Sequence, residues 1–153
     1  TELESLIEAH PDNPNLKNLL ARFCVNHSLR LELAERTIRS AVSAEPGNSA
    51  LLLTLGRVQL ALHRHSDAAQ TLERVVKLGS AGYDSLYYLG LSYVGLGDSQ
   101  KAREAFELAI KEDPERPEAR EELRKLEVGN ISLLPLGRLE DYRFSSEMLD
   151  QVL

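Results

Sequence analysis

The sequence has few of the residues on which disulfide-rich or membrane-spanning proteins depend. Its 153 residues include one cysteine, Cys24, one methionine and no tryptophan. A lone cysteine cannot form an internal disulfide, which excludes a disulfide scaffold and is compatible with a reducing compartment without requiring one. Apolar runs such as residues 50–53 are far shorter than the roughly 20 residues that span a bilayer. We therefore expect a soluble globular protein, cytoplasmic or periplasmic, without direct membrane insertion.

An excess of basic residues is also missing. The chain carries 18 Lys and Arg residues against 24 Asp and Glu residues, a formal net charge of -6. A surface of that sign repels phosphate backbones unless the basic residues are segregated, and here they are interspersed with acidic ones. Nucleic acid is therefore not an expected partner.

Motifs for catalysis are absent as well. There is no glycine-rich phosphate loop, no nucleophile elbow and no paired metal-ligand motif. His63, His65 and Asp67 lie close together, but in a predicted turn and without the further ligands that a stable metal site needs. Cys24 lies among apolar residues of a predicted helix, which is typical of a buried, inert thiol. We expect no enzyme activity, no cofactor and no metal.

What the sequence does contain is a repeat with a period of 34 residues. Four columns of this register hold small or apolar residues, with no insertion between units, and a fixed period of this length is typical of solenoid proteins. The columns are Ala21, Leu55, Leu89 and Leu123; Ala34, Ala68 and Ala102; Ile38, Leu72 and Phe106; and Ala41, Val75 and Ala109. The register predicts stacked units that bury one continuous core.

Within each unit the apolar spacing predicts two helices joined by a short turn. In the third unit, Gly97-Asp98 form the turn, and Pro114 ends the second helix because proline cannot continue it. Gly90 in the first helix and Ala102 in the second lack bulk, so the two backbones can approach closely. Phe106 is expected to fill the space around that crossing.

These residues resemble the tetratricopeptide repeat family. The family pattern places a Leu-Gly pair and an aromatic residue in the first helix, Ala and Phe in the second, and Pro at the end. The unit at 83–116 matches it nearly completely, through Leu89-Gly90, Tyr93, Gly97, Ala102, Phe106, Ala109 and Pro114. The resemblance implies an all-α fold, a right-handed superhelical solenoid of antiparallel helix pairs with a capping helix. It also implies a concave groove that is lined by the first helices and binds peptides.

The register divides the chain into four parts. Residues 1–14 are predicted to be the end of a helix from a preceding, truncated repeat, in a chain that is a fragment of a longer protein or a mature form. Residues 15–116 form three units, at 15–48, 49–82 and 83–116, and residues 117–129 form a polar capping helix. Residues 130–153 form an apolar extension.

The groove implied by the resemblance is largely apolar and aromatic. One subtype of the family holds the C-terminal carboxylate of chaperones with Lys, Asn and Arg side chains, but the corresponding places here hold Leu19, Phe23, Leu53 and Tyr87, which disfavours that subtype. A groove of this composition suits an apolar or amphipathic peptide segment, and Tyr and Arg are enriched where proteins contact each other. Alternatively, Leu19, Leu53 and Leu91 are simply core residues. The predicted groove residues are Leu19, Phe23, Asn26, Leu53, Arg57, Tyr87, Tyr88, Leu91 and Lys125.

The C-terminal extension is too apolar for a disordered tail. Phe144, Met148 and Val152 lie four residues apart with Leu149 beside them, which predicts a short amphipathic helix. Three surfaces could receive it: the end of the chain's own solenoid, its own groove, or another molecule. The second would make the segment autoinhibitory and the third would make the protein self-assemble.

Together these patterns predict a non-catalytic protein-binding module. Thirteen of the 18 basic residues are arginines, a bias typical of GC-rich bacterial genes, so a scaffold in a bacterial envelope or secretion assembly is one expected setting. Self-assembly or autoinhibition through the C-terminal segment, and a regulatory fragment of a larger enzyme, stay open as alternatives.

Overall fold

A computed structural model of the protein describes residues 2–132, and within that range the chain is helical with no strand. The helices are α1 (Glu2–Ala9), α2 (Pro14–Asn26), α3 (Leu31–Ala44), α4 (Ser49–Ala61), α5 (His65–Lys77), α6 (Tyr83–Leu96), α7 (Ser99–Glu112) and α8 (Glu118–Ser132). None of these helices is both long and apolar enough to cross a membrane.

The helices pack as successive antiparallel pairs, which confirms the predicted all-α solenoid. The pairs are α2 with α3, α4 with α5, and α6 with α7, while α1 packs on α2 and α8 packs on α7. The first helices also touch one another, α2 against α4 and α4 against α6, whereas the second helices of the described range make no comparable contact with each other. Because the first helices lie closer together, the surface that they line is concave. We call this surface, formed by α2, α4 and α6, the groove.

The columns of the 34-residue register form the core. The alanine column is completely buried at Ala34, Ala68 and Ala102, as is the large apolar column at Ile38, Leu72 and Phe106. Gly56 and Gly90 pack directly against the latter column, on Leu72 and Phe106 respectively. A glycine on α4 and on α6 thus lets the large side chain of the paired second helix lie against the backbone, as predicted for Gly90 and Phe106.

Polar side chains fix where several helices begin. Asn13 caps α2, its Oδ1 accepting from the backbone N–H of Asn15 at 3.0 Å, and Asn48 caps α4 by accepting from Ala50 at 3.1 Å. Asp98 caps α7 by accepting from the N–H of Lys101. Each of these bonds satisfies a backbone donor that a helix start leaves without a partner.

The turns of the second and third helix pairs follow the repeat register, whereas in the first pair the left-handed residues are Ser28 and Arg30 rather than Leu29. Gly97 ends α6 with φ of +75°, and His63, one repeat earlier, has φ of +58° at the end of α4. Glycine adopts this left-handed conformation without strain, whereas a residue with a Cβ atom does so at a cost. The backbone of the middle unit therefore keeps the turn although its sequence lacks the glycine.

Replacing His63 by glycine is expected to raise the free energy of unfolding by about 0.5–1 kcal/mol, because it removes that conformational cost at an exposed position. Urea denaturation followed by circular dichroism measures the change. His63→Ala is the matched control, since it also removes the imidazole but keeps Cβ and should bring no gain. An equal gain in both variants would contradict the backbone explanation.

Two polar clusters connect neighbouring elements. Glu35 of α3 is buried, and its carboxylate accepts hydrogen bonds from Arg64 at 2.6 and 2.7 Å and from Arg39 at 2.8 Å, which ties the first unit to the turn of the second. At the other end, the Tyr83 hydroxyl accepts from the N–H of Ala119 at 2.9 Å and joins α6 to α8. Burial of a carboxylate is tolerated when such charge-assisted bonds satisfy it.

The capping helix continues past the predicted boundary at residue 129, since α8 includes the described residues up to Ser132. The first residue that cannot continue a helix is Pro135, so nothing in the local sequence stops α8 at Gly129. The predicted extension at 130–153 therefore begins as helix, and its residues 133–153 lie outside the described part of the chain.

Candidate functional site

The predicted groove residues of α2 lie largely exposed. The side chains of Leu19 and Phe23 are 53% and 49% exposed, and the Phe23 ring lies 4.5 Å from the ring of His27. Exposed apolar residues four positions apart occupy the same face of a helix, so these two form one patch. For Leu19, the alternative of a core position is wrong.

The groove residues of α4 and α6 are half-buried rather than exposed. Leu53 packs beside the cluster of Ala69, Leu72 and Leu89, and Leu91 packs beside the cluster around Phe106. These two leucines therefore belong partly to the core and still present surface to the groove.

Three tyrosines form an aromatic row along α6. The rings of Tyr83 and Tyr87 stack at 6.0 Å, and Tyr87 meets Tyr88 edge-on at 5.3 Å. Burial, followed by the nearby Glu122 carboxylate, raises the pKa of the Tyr87 hydroxyl above its ordinary value. Tyr87 thus keeps its proton in neutral solution and presents a hydrogen-bond donor beside an apolar ring.

One arginine connects all three helices of the groove. Arg57 of α4 donates from Nη2 to Oδ1 of Asn26 on α2 at 2.7 Å, and its guanidinium carbon lies 5.2 Å from the ring centroid of Tyr88 on α6. The three predicted residues Asn26, Arg57 and Tyr88 therefore meet, one from each repeat. A guanidinium over an aromatic face is held by cation–π attraction as well as by its hydrogen bond.

A cavity of about 340 Å³ opens beside this arginine. Within it the walls are mostly apolar, although Nδ1 of His65 is buried without a hydrogen-bond partner among the described residues. The lining residues are Val25, Arg57, Leu60, Ala61, His65, Tyr88 and Leu91. The size is sufficient for one or two apolar side chains of a bound peptide.

Lys125, the predicted groove residue of the capping helix, is exposed and pairs with a carboxylate of its own helix. Its Nζ lies 2.6 Å from the Glu122 carboxylate, and the side chain is largely exposed. The structure does not bring Lys125 into contact with Asn26 or Arg57, which contact each other, while Arg57 also contacts Tyr88 of α6. Asn26, Arg57 and Lys125 therefore do not form one cluster that could hold several carboxylates.

The remaining candidate residues have structural surroundings. Cys24 is buried, and it lines a second apolar cavity of about 580 Å³ between α1, α2 and the turn that follows α2. His65 and Asp67 lie in the first turn of α5 rather than in the preceding turn, and residues 2–132 contain no group of three potential ligands that could hold a metal ion. The predicted self-docking residues Phe144, Met148, Leu149 and Val152 lie outside the described residues.

Sequence reasoning missed some of the groove's polar organisation. Its register identified the residues of the first helices, but His65 starts a second helix and reaches the cavity because its ring packs against Gly95 of α6. Gly95 lies in one column of the register with Ala61 and Gly129, so small residues at this position were the signal that the sequence contained. The contact between Arg57 and Asn26 joins residues 31 apart and leaves no periodic pattern.

Comparison with known proteins agrees with this architecture. The wheat (Triticum aestivum) Hsp70-Hsp90 organizing protein is 31% identical over 85 residues, which are 56% of this chain and only 15% of that protein's length. MamA 41-end from Desulfovibrio magneticus RS-1 has a similar fold, with a TM-score of 0.74, 23% identity, and coverage of 84% of this chain and 72% of that one. The first tetratricopeptide repeat domain of Spaghetti (RPAP3), solved with HSP90 peptide SRMEEVD, has a TM-score of 0.72, 17% identity, and coverage of 77% and 93%.

The family comparison covers more than half of the chain. A profile described as tetratricopeptide repeat matches residues 29–83 and residues 53–117. These ranges include the buried columns of the 34-residue register and the helix pairs α4–α5 and α6–α7. The chain therefore belongs to the tetratricopeptide repeat family.

Proposed function

We propose that the chain binds an apolar or amphipathic peptide segment of a partner protein in its groove, as a non-catalytic scaffold in a larger assembly. The observation that carries the proposal is the half-exposed apolar and aromatic surface along the first helices, with Leu19 and Phe23 at one end and Tyr87, Tyr88 and Leu91 at the other. Curved repeat stacks present extended concave surfaces of this kind to their partners.

The composition of the groove supports an apolar segment over a strongly acidic one. Phe23 and Tyr88 offer rigid, large contact areas, which protein interfaces favour at their centres. Of the predicted basic groove residues, Lys125 already pairs with Glu122, which leaves Arg57 as the cation of this set without an acidic partner among the described residues. An amphipathic helix or an extended apolar segment matches such a surface.

Substitutions in the groove provide the test. A random peptide library is selected for binding to the whole chain, and the affinities of the enriched peptides are measured by fluorescence anisotropy. Tyr87→Ala combined with Leu91→Ala is expected to weaken binding by about tenfold or more, because both side chains are lost from the centre of the surface. Phe23→Ala tests the other end at a half-exposed position, where the fold tolerates the change.

The matched control removes apolar surface elsewhere. Leu108 is 48% exposed on α7, and Leu78, which directly follows α5, is 49% exposed; Leu78→Ala with Leu108→Ala should leave peptide affinity unchanged. The HSP90 peptide SRMEEVD is measured as a comparison ligand. We expect it to bind far more weakly than the enriched peptides, since the groove has few cations to pair with its several carboxylates. Equal binding by the groove variants and wild type would refute the proposal, as would tight binding of SRMEEVD alone.

A further inference from the structure

Arg57 is held in place before any ligand arrives. Its guanidinium contacts Asn26 on one neighbouring helix and Tyr88 on the other, so its position is set from both sides. A side chain that is already ordered loses little further conformational entropy on binding. The groove therefore offers a fixed positive charge near its middle.

That charge is not neutralised by the described part of the chain. Three arginines of the described range are partly buried, namely Arg57, Arg103 and Arg116. Arg103 pairs with Glu127, and Arg116 pairs with Asp84 and Glu118. Arg57 has an amide oxygen and a ring as partners, and its Nε is buried without a hydrogen-bond acceptor in the described range. The protein is acidic, with a net charge of -6, and yet this partly buried arginine pairs with no carboxylate of the described range.

The surroundings of Arg57 raise the strength of any ion pair formed there. The adjoining cavity is lined by Val25, Leu60 and Leu91, so a peptide that fills it displaces water from the guanidinium. Attraction between opposite charges grows as the local dielectric constant falls, and an arginine can bind a carboxylate through two parallel N–H bonds.

We propose that the groove selects peptide segments in which an Asp or Glu side chain stands among apolar residues. The carboxylate pairs with Arg57, and a neighbouring apolar side chain enters the cavity between α4 and α6. This inference rests on the proposed peptide-binding function and names the chemistry of the partner. The source of the carboxylate is a side chain rather than a chain end, because apolar surface continues along the groove on both sides of Arg57, toward Phe23 and toward Leu91.

The peptide library tests this directly. The library is displayed with both ends of each random segment joined to the carrier, so that no free C-terminal carboxylate is present. Peptides enriched on the whole chain are expected to contain an acidic residue flanked by Leu, Ile, Phe or Met. Replacing that residue by its amide, or Arg57 by Gln, should each weaken binding by about tenfold or more, as expected for a charge-assisted hydrogen bond.

A double-mutant cycle separates an ion pair from a structural role. If Arg57 pairs with the peptide carboxylate, Arg57→Gln together with the amide peptide loses little more affinity than either change alone. If Arg57 only supports the groove, the two losses add and the proposal is overturned. Arg22→Gln, at an exposed arginine of α2, is the control and should leave affinity unchanged within about twofold.

The outcomes distinguish this inference from the function on which it rests. Groove-dependent peptides without acidic enrichment, with affinities that Arg57→Gln does not alter, would overturn the inference and leave peptide binding intact. A library that yields no peptide sensitive to the Tyr87 and Leu91 substitutions would overturn both. Binding confined to the chain's own residues 138–153, offered as a synthetic peptide, would also overturn the proposed partner class, since the groove would then serve self-recognition.

Discussion

Replacing Phe106 by alanine is expected to lower the free energy of unfolding by about 3–5 kcal/mol. Phe106 is completely buried at the crossing of α6 and α7, where its ring lies against Gly90 and 6.1 Å from the ring of Tyr87. Removing the ring gives up its burial and leaves a cavity that the rigid backbone of α6 cannot fill by moving. Among residues 2–132 this is the largest completely buried side chain.

Chemical denaturation of both proteins measures the loss. Leu108→Ala provides the control, because Leu108 lies two residues away on the same helix with its side chain 48% exposed. It should change the free energy of unfolding by less than about 1 kcal/mol. Comparable losses in the two variants would contradict the assignment of Phe106 to the centre of the core. Hydrogen exchange should place the effect mainly in α6 and α7 and in the helices packed on them, α5 and α8, since a repeat contacts chiefly its neighbours.

The fold could be predicted from the sequence because the same close contacts between helices recur in every 34-residue unit. Where two helices must cross at the same distance in every unit, the same positions need small or large side chains each time. Ala34, Ala68 and Ala102 satisfy that need identically, and all three are completely buried. Turn geometry follows the same logic, so that His63 adopts the left-handed conformation of Gly97 although its residue type does not favour it.

The polar contacts of the groove and of the outer surface could not be predicted in this way. The bond from Arg57 to Asn26 spans 31 residues and the one from Arg64 to Glu35 spans 29, neither of which equals the period. Long side chains reach such partners by choosing among several rotamers, and a single sequence contains no signal for that choice. The register places Asn26, Arg57 and Tyr88 on first helices, whereas the structure was needed to see that Arg57 joins three repeats.

Replacing Gly90 by alanine is expected to lower the free energy of unfolding by about 1–3 kcal/mol, although alanine is the better helix former. A Cβ atom at Gly90 would lie 2.6 Å from Cδ1 and 2.8 Å from Cζ of Phe106, closer than real Cβ atoms approach their neighbours. The ring is completely buried, so turning it away from the new Cβ atom would push it into closely packed neighbours. Overpacking therefore outweighs the gain of roughly 1 kcal/mol in helix propensity.

Gly129→Ala isolates that propensity gain. Gly129 also lies within a helix, α8, but a Cβ atom there would meet nothing within 4 Å. The substitution should leave stability unchanged or raise it by up to about 1 kcal/mol. Denaturation curves that fall equally for Gly90→Ala and Gly129→Ala would show that loss of glycine itself, and not contact with Phe106, is responsible.

When Phe106 is already alanine, Gly90→Ala should raise the free energy of unfolding rather than lower it. Without the ring, the new methyl group enters space that Phe106 has vacated, and only the propensity gain and a partly filled cavity remain. The double variant is therefore expected to be more stable than Phe106→Ala alone by up to about 1 kcal/mol, a strong departure from additivity. Additive losses in that cycle would mean that Gly90 is required for a reason other than contact with the Phe106 ring. The inference that a glycine of the first helix makes room for a large side chain of the second would then fail in the unit at 83–116, which matches the family pattern best.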